Sequence, residues 1–351
     1  MYQISQNQLI AAIKKLNQRY PIILPTKKDH EFFLKYYEID SWTDNHWEIS
    51  PIRTPQPLKS FFYPPKQHVG TYPGAEKKTE RKQPLVIIGS KACDINALKI
   101  IDKVYREGEY PEPYYVKARE ENIIISSDCL DAGEYCACVL MNSLPYPEKD
   151  FDLNLSSLDD SILIDIGSEK GEKLLKEFFE GYQPATEAQI VARDEKRKRV
   201  IDKLKEINKP FQYFQSHQEA IERHLVSKEW SDLCKTCVEC GICTQICPTC
   251  YCFLLFDQKA KEGYERIKVW DSCFFAGYSR MAGGLTPRLS LADRFKHRFY
   301  HKFDSFVSIY GVEACTGCGR CSEGCMGNID LRKVLMELEK RVVLKETIEI
   351  S

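Results

Sequence analysis

The stretch LCKTCVECGICTQICPTCYCF, residues Leu233 to Phe253, decides how the rest of the chain is read. Within it Cys237, Cys240, Cys243 and Cys247 follow the spacing C-x2-C-x2-C-x3-C, and Pro248 comes directly after. Three thiolates on one tight loop can hold three irons of a cubane cluster, and in two-cluster ferredoxins the fourth cysteine, directed away by the proline, ligates the other cluster. The pattern therefore predicts a twin. Cys315, Cys318, Cys321 and Cys325, in ACTGCGRCSEGCM at 314–326, repeat the spacing. Crossed ligation then assigns Cys237, Cys240, Cys243 and Cys325 to one 4Fe-4S cluster and Cys315, Cys318, Cys321 and Cys247 to a second.

Two other uses of cysteine fit less well. A zinc site pairs one C-x2-C with a second pair well downstream in a tetrahedron, which three cysteines at successive two-residue gaps do not supply. A disulfide framework needs an oxidising compartment. The N-terminal MYQISQNQLIAAIKKLNQRY has neither the long apolar core nor the small-residue cleavage site of a signal peptide. No apolar run approaches the ~18 residues of a spanning helix, so a cytoplasmic location with no membrane partner is expected. Sixteen cysteines in such a chain argue for metal. Lys+Arg 50 against Asp+Glu 51 leaves almost no net charge, which removes any global attraction to nucleic acid.

Upstream of the motifs the sequence alternates strands and helices. Gln6 to Arg19 carries Leu9, Ile10, Ile13 and Leu16 at helical spacing and stops before Pro21. Ile22 to Leu24 reads as a short edge strand, and Trp42, Trp47 and the prolines at 51, 55 and 57 as an irregular packed wrap. Lys59 to Pro65, KSFFYPP, reads either as a core strand ending in an extended turn or as a surface over a cofactor. Gly70 to Gln83 is polar and loop-like.

Pro84 to Gly89 is a continuous apolar run of the kind found in a buried parallel strand. Asp94 can cap the helix that follows, Ile95 to Tyr105, and ENIIIS at 121–126 reads as the next strand of a β-α-β unit. Cys93 and Cys129 then fall just past the C-terminal ends of two strands, the edge where open α/β sheets gather ligands. With Cys136 and Cys138 they number four, as many thiols as a 4Fe-4S cluster takes, although the spacing is not that of a ferredoxin. A third cluster on Cys93, Cys129, Cys136 and Cys138 is expected.

Residues 161–167 read as a strand and Glu172 to Phe179 as a helix, closing an α/β domain over 1–185. The segment 186–228 is a charged helical connector whose run RDEKRKR reads as a solvated face. From 229 to 351 a mostly helical dicluster ferredoxin-like domain is expected, giving an α+β fold class overall. Gln258 to Glu265 and Leu289 to Phe303 are expected as helices in the insert between the motifs, and Asn328 to Val343 as the closing helix. Arg280, Arg288, Arg298, His301 and Lys302 are candidates to offset cluster charge or to form a docking face. Cys234, Cys250, Cys252 and Cys273 also number four, but Cys250 and Cys252 lie so close to Cys247 that supporting or packing roles suit them better, and Cys234 reads as a small core residue.

Several motifs occur together in order: KSFFYPP at 59–65, GSKACD at 89–94, the cysteine run to CPTCYCF at 253, WDSC at 270–273, RMAGG at 280–284 and RFYHKF at 298–303. In these the chain resembles the iron-sulfur beta subunit of soluble NAD(P)-linked nickel-iron hydrogenases (sulfhydrogenases), and is similar to the A subunit of anaerobic sulfite reductase. Met326, where many ferredoxin motifs carry proline, and Leu285-Thr286 after RMAGG depart from the pattern. The resemblance implies an electron relay, not a catalyst by itself. It would dock on a flavoprotein subunit holding FAD and NAD(P) and pass electrons toward a nickel-iron hydrogenase or a sulfite-reducing module. No Walker A loop, G-x-G-x-x-G fingerprint or H-E-x-x-H appears. The second reading is an iron-sulfur redox sensor or scaffold, which needs only one cluster where conduction uses several in series.

Overall fold

In the computed structural model Val86–Ser90 and Ile123–Ser127 are buried at every position, as strands covered on both faces must be. The model describes residues 1–29, 31–43, 47–73, 83–211, 216–225 and 228–349, with side chains described through 340. The strands are β1 (Tyr2–Ile4), β2 (Ile22–Lys28), β3 (Glu31–Tyr37), β4 (Lys66–Tyr72), β5 (Val86–Ser90), β6 (Ile123–Ser127), β7 (Leu153–Ser157), β8 (Ile162–Ile166), β9 (Gln183–Pro184), β10 (Phe253–Lys259) and β11 (Tyr264–Trp270). Eight of them form one sheet in the order β3-β2-β5-β6-β7-β8-β1-β9, with β2, β5, β6 and β7 mutually parallel. Helices α1 (Gln6–Arg19), α2 (Ala92–Tyr105), α3 (Pro113–Glu121) and α4 (Glu169–Phe178) pack on it.

The α1 boundaries follow from local chemistry. Ser5 and Gln8 form a reciprocal capping box, and Tyr20, held extended before Pro21, ends the helix. Trp42 and Trp47 are buried in the core beneath α1, as the reading of that wrap as packing requires. The sequence placed β2 at an edge; it lies inside the sheet, because the unforeseen β3 pairs along its whole length. Asp94 does not cap α2. Lys91 occupies the cap position, and Asp94 in the first turn accepts hydrogen bonds from Leu58 N and Arg320.

Helix α5 (Glu187–Asn208) leads to the cysteine-rich half, and is less solvated than its composition implies. Val200 and Leu204 pack with Ala132 and Cys138, and Arg197 pairs with the buried Asp128. Beyond it come the short helices α6 (His217–Glu222), α7 (Glu229–Leu233) and α8 (Ile242–Gln245). Helix α9 (Leu291–Tyr300) runs through a π-helical turn at His301–Ser305 into α10 (Phe306–Tyr310), followed by α11 (Arg320–Glu323) and α12 (Leu331–Glu349). Gln258 to Glu265, expected as a helix, is instead the tip of the β10–β11 hairpin. Leu254, Leu255 and Tyr264 suit strands, and Gly263 at φ 78 makes the turn.

That hairpin pairs with β4 from the N-terminal half, so the cysteine-rich region is not purely helical and the two halves share a sheet. Part of the expected 70–83 loop, Gly70 to Tyr72, belongs to β4; 74–82 lie outside the described residues. The KSFFYPP segment forms a 3-10 turn at Leu58–Phe61 and not a strand, with Phe62 and Tyr63 in the core.

Candidate metal centres

Each ferredoxin-like motif turns on a glycine after its second cysteine. Gly241 at φ 72 and Gly319 at φ 76 occupy the left-handed cap positions of α8 and α11, a conformation that side chains with a β-carbon rarely adopt. The tight loops leave cysteines around cavities. One is lined by Cys237, Cys240, Cys243 and Cys325, with Cys321 also reaching it. Another is lined by Cys247, Cys315, Cys318 and Cys321. These are the two crossed sets expected from spacing, so the fourth cysteine of each motif stands with the other motif's first three.

A third cavity is lined by Cys93, Cys129, Cys136 and Cys138, with Cys318 also reaching it. Cys93 begins α2 just after β5, and Cys129 follows β6, so the parallel strands deliver both to one sheet edge. The other two arrive on the 129–138 loop, which is pinned to the second motif. Ala137 N donates to Gly317 O at 2.7 Å, and Arg53 Nε donates to Cys318 O at 2.7 Å.

The cavities adjoin in series. Cys318 lines both the N-terminal and the central one, and Cys321 both the central and the outer one. Among the described residues no three His, Cys, Asp or Glu side chains close on a point as for a single ion. Burial pushes the Cys243 thiol up to about 11 and the Cys129 thiol up to about 12, and raises Cys93, Cys138 and Cys315 as well. Such thiols stay protonated until a metal takes the proton's place. Arg298 lines both ferredoxin-like cavities, and its buried Nε and Nη2 have no hydrogen-bond partner among the described residues; nor does Thr316 Oγ1 at the central cavity. Four thiols, a cavity and an unpaired buried cation fit an anionic iron-sulfur cluster.

Comparison with known proteins agrees. Residues 236–329 match a 4Fe-4S dicluster domain. The chain is also 32% identical over 321 residues to the sulfhydrogenase 2 subunit beta of Pyrococcus furiosus, an alignment covering 90% of this chain and 91% of that protein. The chain belongs to the sulfhydrogenase iron-sulfur beta-subunit family. It is an electron-transfer iron-sulfur subunit carrying 4Fe-4S clusters. Among its described residues no helix is long and apolar enough to cross a membrane.

This beta-subunit-family chain surrounds its central cavity with buried cations. Lys302, 3% exposed and carried on the π-helical turn, donates to Thr249 Oγ1 at 2.8 Å, Ala314 O at 2.9 Å and Cys247 Sγ at 3.4 Å. Burial opposes its charge, yet the neighbouring sulfurs of Cys247, Cys250 and Cys315 hold its pKa above the ordinary lysine value. Arg320, 1% exposed, pairs with Asp94 at 2.8 Å and donates to Thr54 O at 2.9 Å. Lys59 donates to Cys250 O at 2.7 Å and lies over the Trp270 ring. Lys91, beside the N-terminal cavity, donates to Ser127 Oγ and Asp128 O.

Of the five basic candidates read from sequence, Arg298 and Lys302 line cavities. Arg280 and Arg288 do not, and His301 bonds Tyr251. Lys59, Lys91, Arg53 and Arg320 were missed as site residues, although Lys59 and Lys91 stand inside the family-like KSFFYPP and GSKACD segments. Interaction with the Cys250 thiol first, and then with Lys302, holds the Cys247 thiol well below its usual range against the cost of burial. Cys234 is buried beside Trp230 and Phe274, the core role expected of it.

Proposed function

We propose that the chain holds three 4Fe-4S clusters in series: one on Cys93, Cys129, Cys136 and Cys138, one on Cys247, Cys315, Cys318 and Cys321, and one on Cys237, Cys240, Cys243 and Cys325. Each supplies a one-electron couple whose charge is spread over iron and sulfur. The observation that carries the reading is the succession of three cysteine-lined cavities, the outer two each with four cysteines of their own and a fifth, Cys318 or Cys321, shared with the central one. In this order Cys318 and Cys321 each ligate one cluster and touch the space of the next. The π-helical turn holds Lys302 against the central set, and Arg298 offers unpaired N–H donors to two sets at once.

The family supports a reading of the partners. An NAD(P)H-oxidising flavoprotein subunit with FAD would feed the series, and a nickel-iron hydrogenase or a sulfur- or sulfite-reducing module would draw from it, in the cytoplasm and without nucleic acid or membrane. The test is iron and acid-labile sulfide analysis with EPR on anaerobically purified protein, then reduction by NAD(P)H with and without the flavoprotein. About twelve irons per chain, reduced only when the flavoprotein is present, is the expected result. Zinc in their place, or clusters that never accept electrons in the reconstituted complex, would overturn it, the latter favouring a sensor.

A further inference from the structure

Cys252 and Cys273 line none of the three cavities, and they are not isolated. Cys252 precedes β10 and Cys273 follows β11, so the hairpin neck brings both to the same end of the strand pair. Phe253 pairs with Trp270, and Asp271 N donates to Cys252 O at 3.0 Å. The Cys252 and Cys273 thiols lie close enough that each shifts the other's titration, and the Tyr278 phenol acts on Cys252 in the same way. Tyr63 Oη fixes the same neck from behind by donating to Cys252 O at 3.2 Å.

The two thiols differ. Cys252 is half-buried and flanked by the exposed Tyr278, whereas Cys273 is 6% exposed. Interaction with the Cys273 thiol draws the Cys252 pKa down to about 6 against the cost of burial, helped by Tyr278 and the Lys302 charge. The same interaction raises Cys273. An accessible thiolate beside a buried, protonated thiol is the arrangement of an attacking and a resolving cysteine. These two do not complete a fourth cluster with the remaining pair: Cys234 is in the aromatic core and Cys250 interacts with Cys247.

We propose that Cys252 and Cys273 are a two-electron dithiol/disulfide site that reacts with small, unhindered disulfides and is reopened by electrons from the iron-sulfur series. In the first half the Cys252 thiolate attacks one sulfur of RS–SR, that S–S bond breaks, and RS⁻ leaves with a mixed disulfide left on Cys252. Cys273 loses its proton and attacks the Cys252 sulfur, expelling a second RS⁻ and closing the protein disulfide. Reopening consumes two electrons, delivered one at a time, and one proton, restoring a thiolate at Cys252 and a thiol at Cys273. Only this second half rests on the cluster reading.

The experiment uses the full chain with its clusters, purified anaerobically, and cystamine as the disulfide. Wild type should release about two cysteamines per chain and retain no adduct; C273S should keep one adduct on Cys252, and C252S should do neither. In a reductive titration, disulfide-closed wild type should take up about two electrons more per chain than C252S/C273S. An adduct retained by wild type, or unchanged cysteamine release by C252S, overturns the site. Exchange without the extra electrons overturns its coupling to the series. A loss of about four irons in C252S or C273S would make these cysteines ligands and also overturns it. Protein found to hold no iron would sink the cluster reading while the cystamine exchange stayed measurable.

Discussion

The two ferredoxin-like motifs have the same cysteine spacing and opposite surroundings. The first lies outward: Val238 is 61% exposed and Cys240 is exposed. The second is clamped beneath the α/β half, where the residue after its glycine is Arg320, tied to Asp94, in place of Ile242. After the fourth cysteine, Pro248 lines the central cavity while Met326 is 74% exposed. Spacing decides which sulfurs can share a cubane. The residues between the cysteines decide where the loop docks and what charge its cluster meets.

The matched glycines give the sharpest way to break this comparison. A β-carbon on Gly241 would meet the Phe275 ring at 2.4 Å, and a ring can turn aside. On Gly319 it would meet the Tyr135 backbone oxygen at 2.2 Å, which cannot move without displacing the 129–138 loop. Strain from the left-handed backbone is common to both, about 1–3 kcal/mol. G319A should therefore add a backbone clash, cost several kcal/mol in total, and lose iron from the central and N-terminal sites together. G241A should stay near the shared strain. Iron per chain and urea midpoints of the two variants, measured side by side, check this; equal losses would mean that the second loop is not clamped.

A smaller effect separates the ion pairs. Arg320 and Asp94 are almost wholly buried, so D94N leaves an uncompensated guanidinium and should cost roughly 3–5 kcal/mol. Arg294 pairs on the outer side with Glu239, which is half exposed, and E239Q should cost no more than about 1 kcal/mol. Denaturant midpoints of the single variants decide between them.

The central cavity should also differ in potential. Removing the Lys302 charge with K302M withdraws a cation that stabilises added electrons. At an effective dielectric of ~20 a nearby unit charge is worth roughly 2 kcal/mol, so the central couple should fall by on the order of 100 mV. The outer couple should move much less. EPR-monitored redox titration resolves the two, and equal shifts would show that the charge is shared across Cys321.

What was legible in the sequence was whatever repeats with a short period. The cysteine spacing pointed to the crossed sets whose members line the outer and central cavities, and the apolar stripes of α1 and α12 located those helices. The parallel strands before Cys93 and Cys129 predicted that these two would meet. What stayed hidden depends on contacts distant in sequence. The tip of the β10–β11 hairpin, Gln258 to Glu265, reads as a helix because it is charged and lacks strand alternation, and what holds the hairpin is a pairing with β4 from the other half. Nothing in the sequence marks Arg320, which is buried against Asp94 from the other half, and Lys59 reaches Cys250 O across 191 residues.

The least of the expected differences concerns acid. His301 neighbours Lys302 on the central side and accepts or donates a hydrogen bond with Tyr251 Oη at 3.2 Å. Burial, then the Lys302 charge and His297, hold its pKa down to about 4, against about 6.5 in an unfolded chain. The unfolded state therefore binds the extra proton first. The stabilising contribution of neutral His301 is fully present above about pH 6.5 and is lost as pH falls toward about 4. Between about pH 8 and about pH 5.5 this amounts to roughly 1 kcal/mol. H301Q should flatten the fall in urea midpoint over that window. A slope that survives H301Q would assign the acid sensitivity to the thiolate sets themselves.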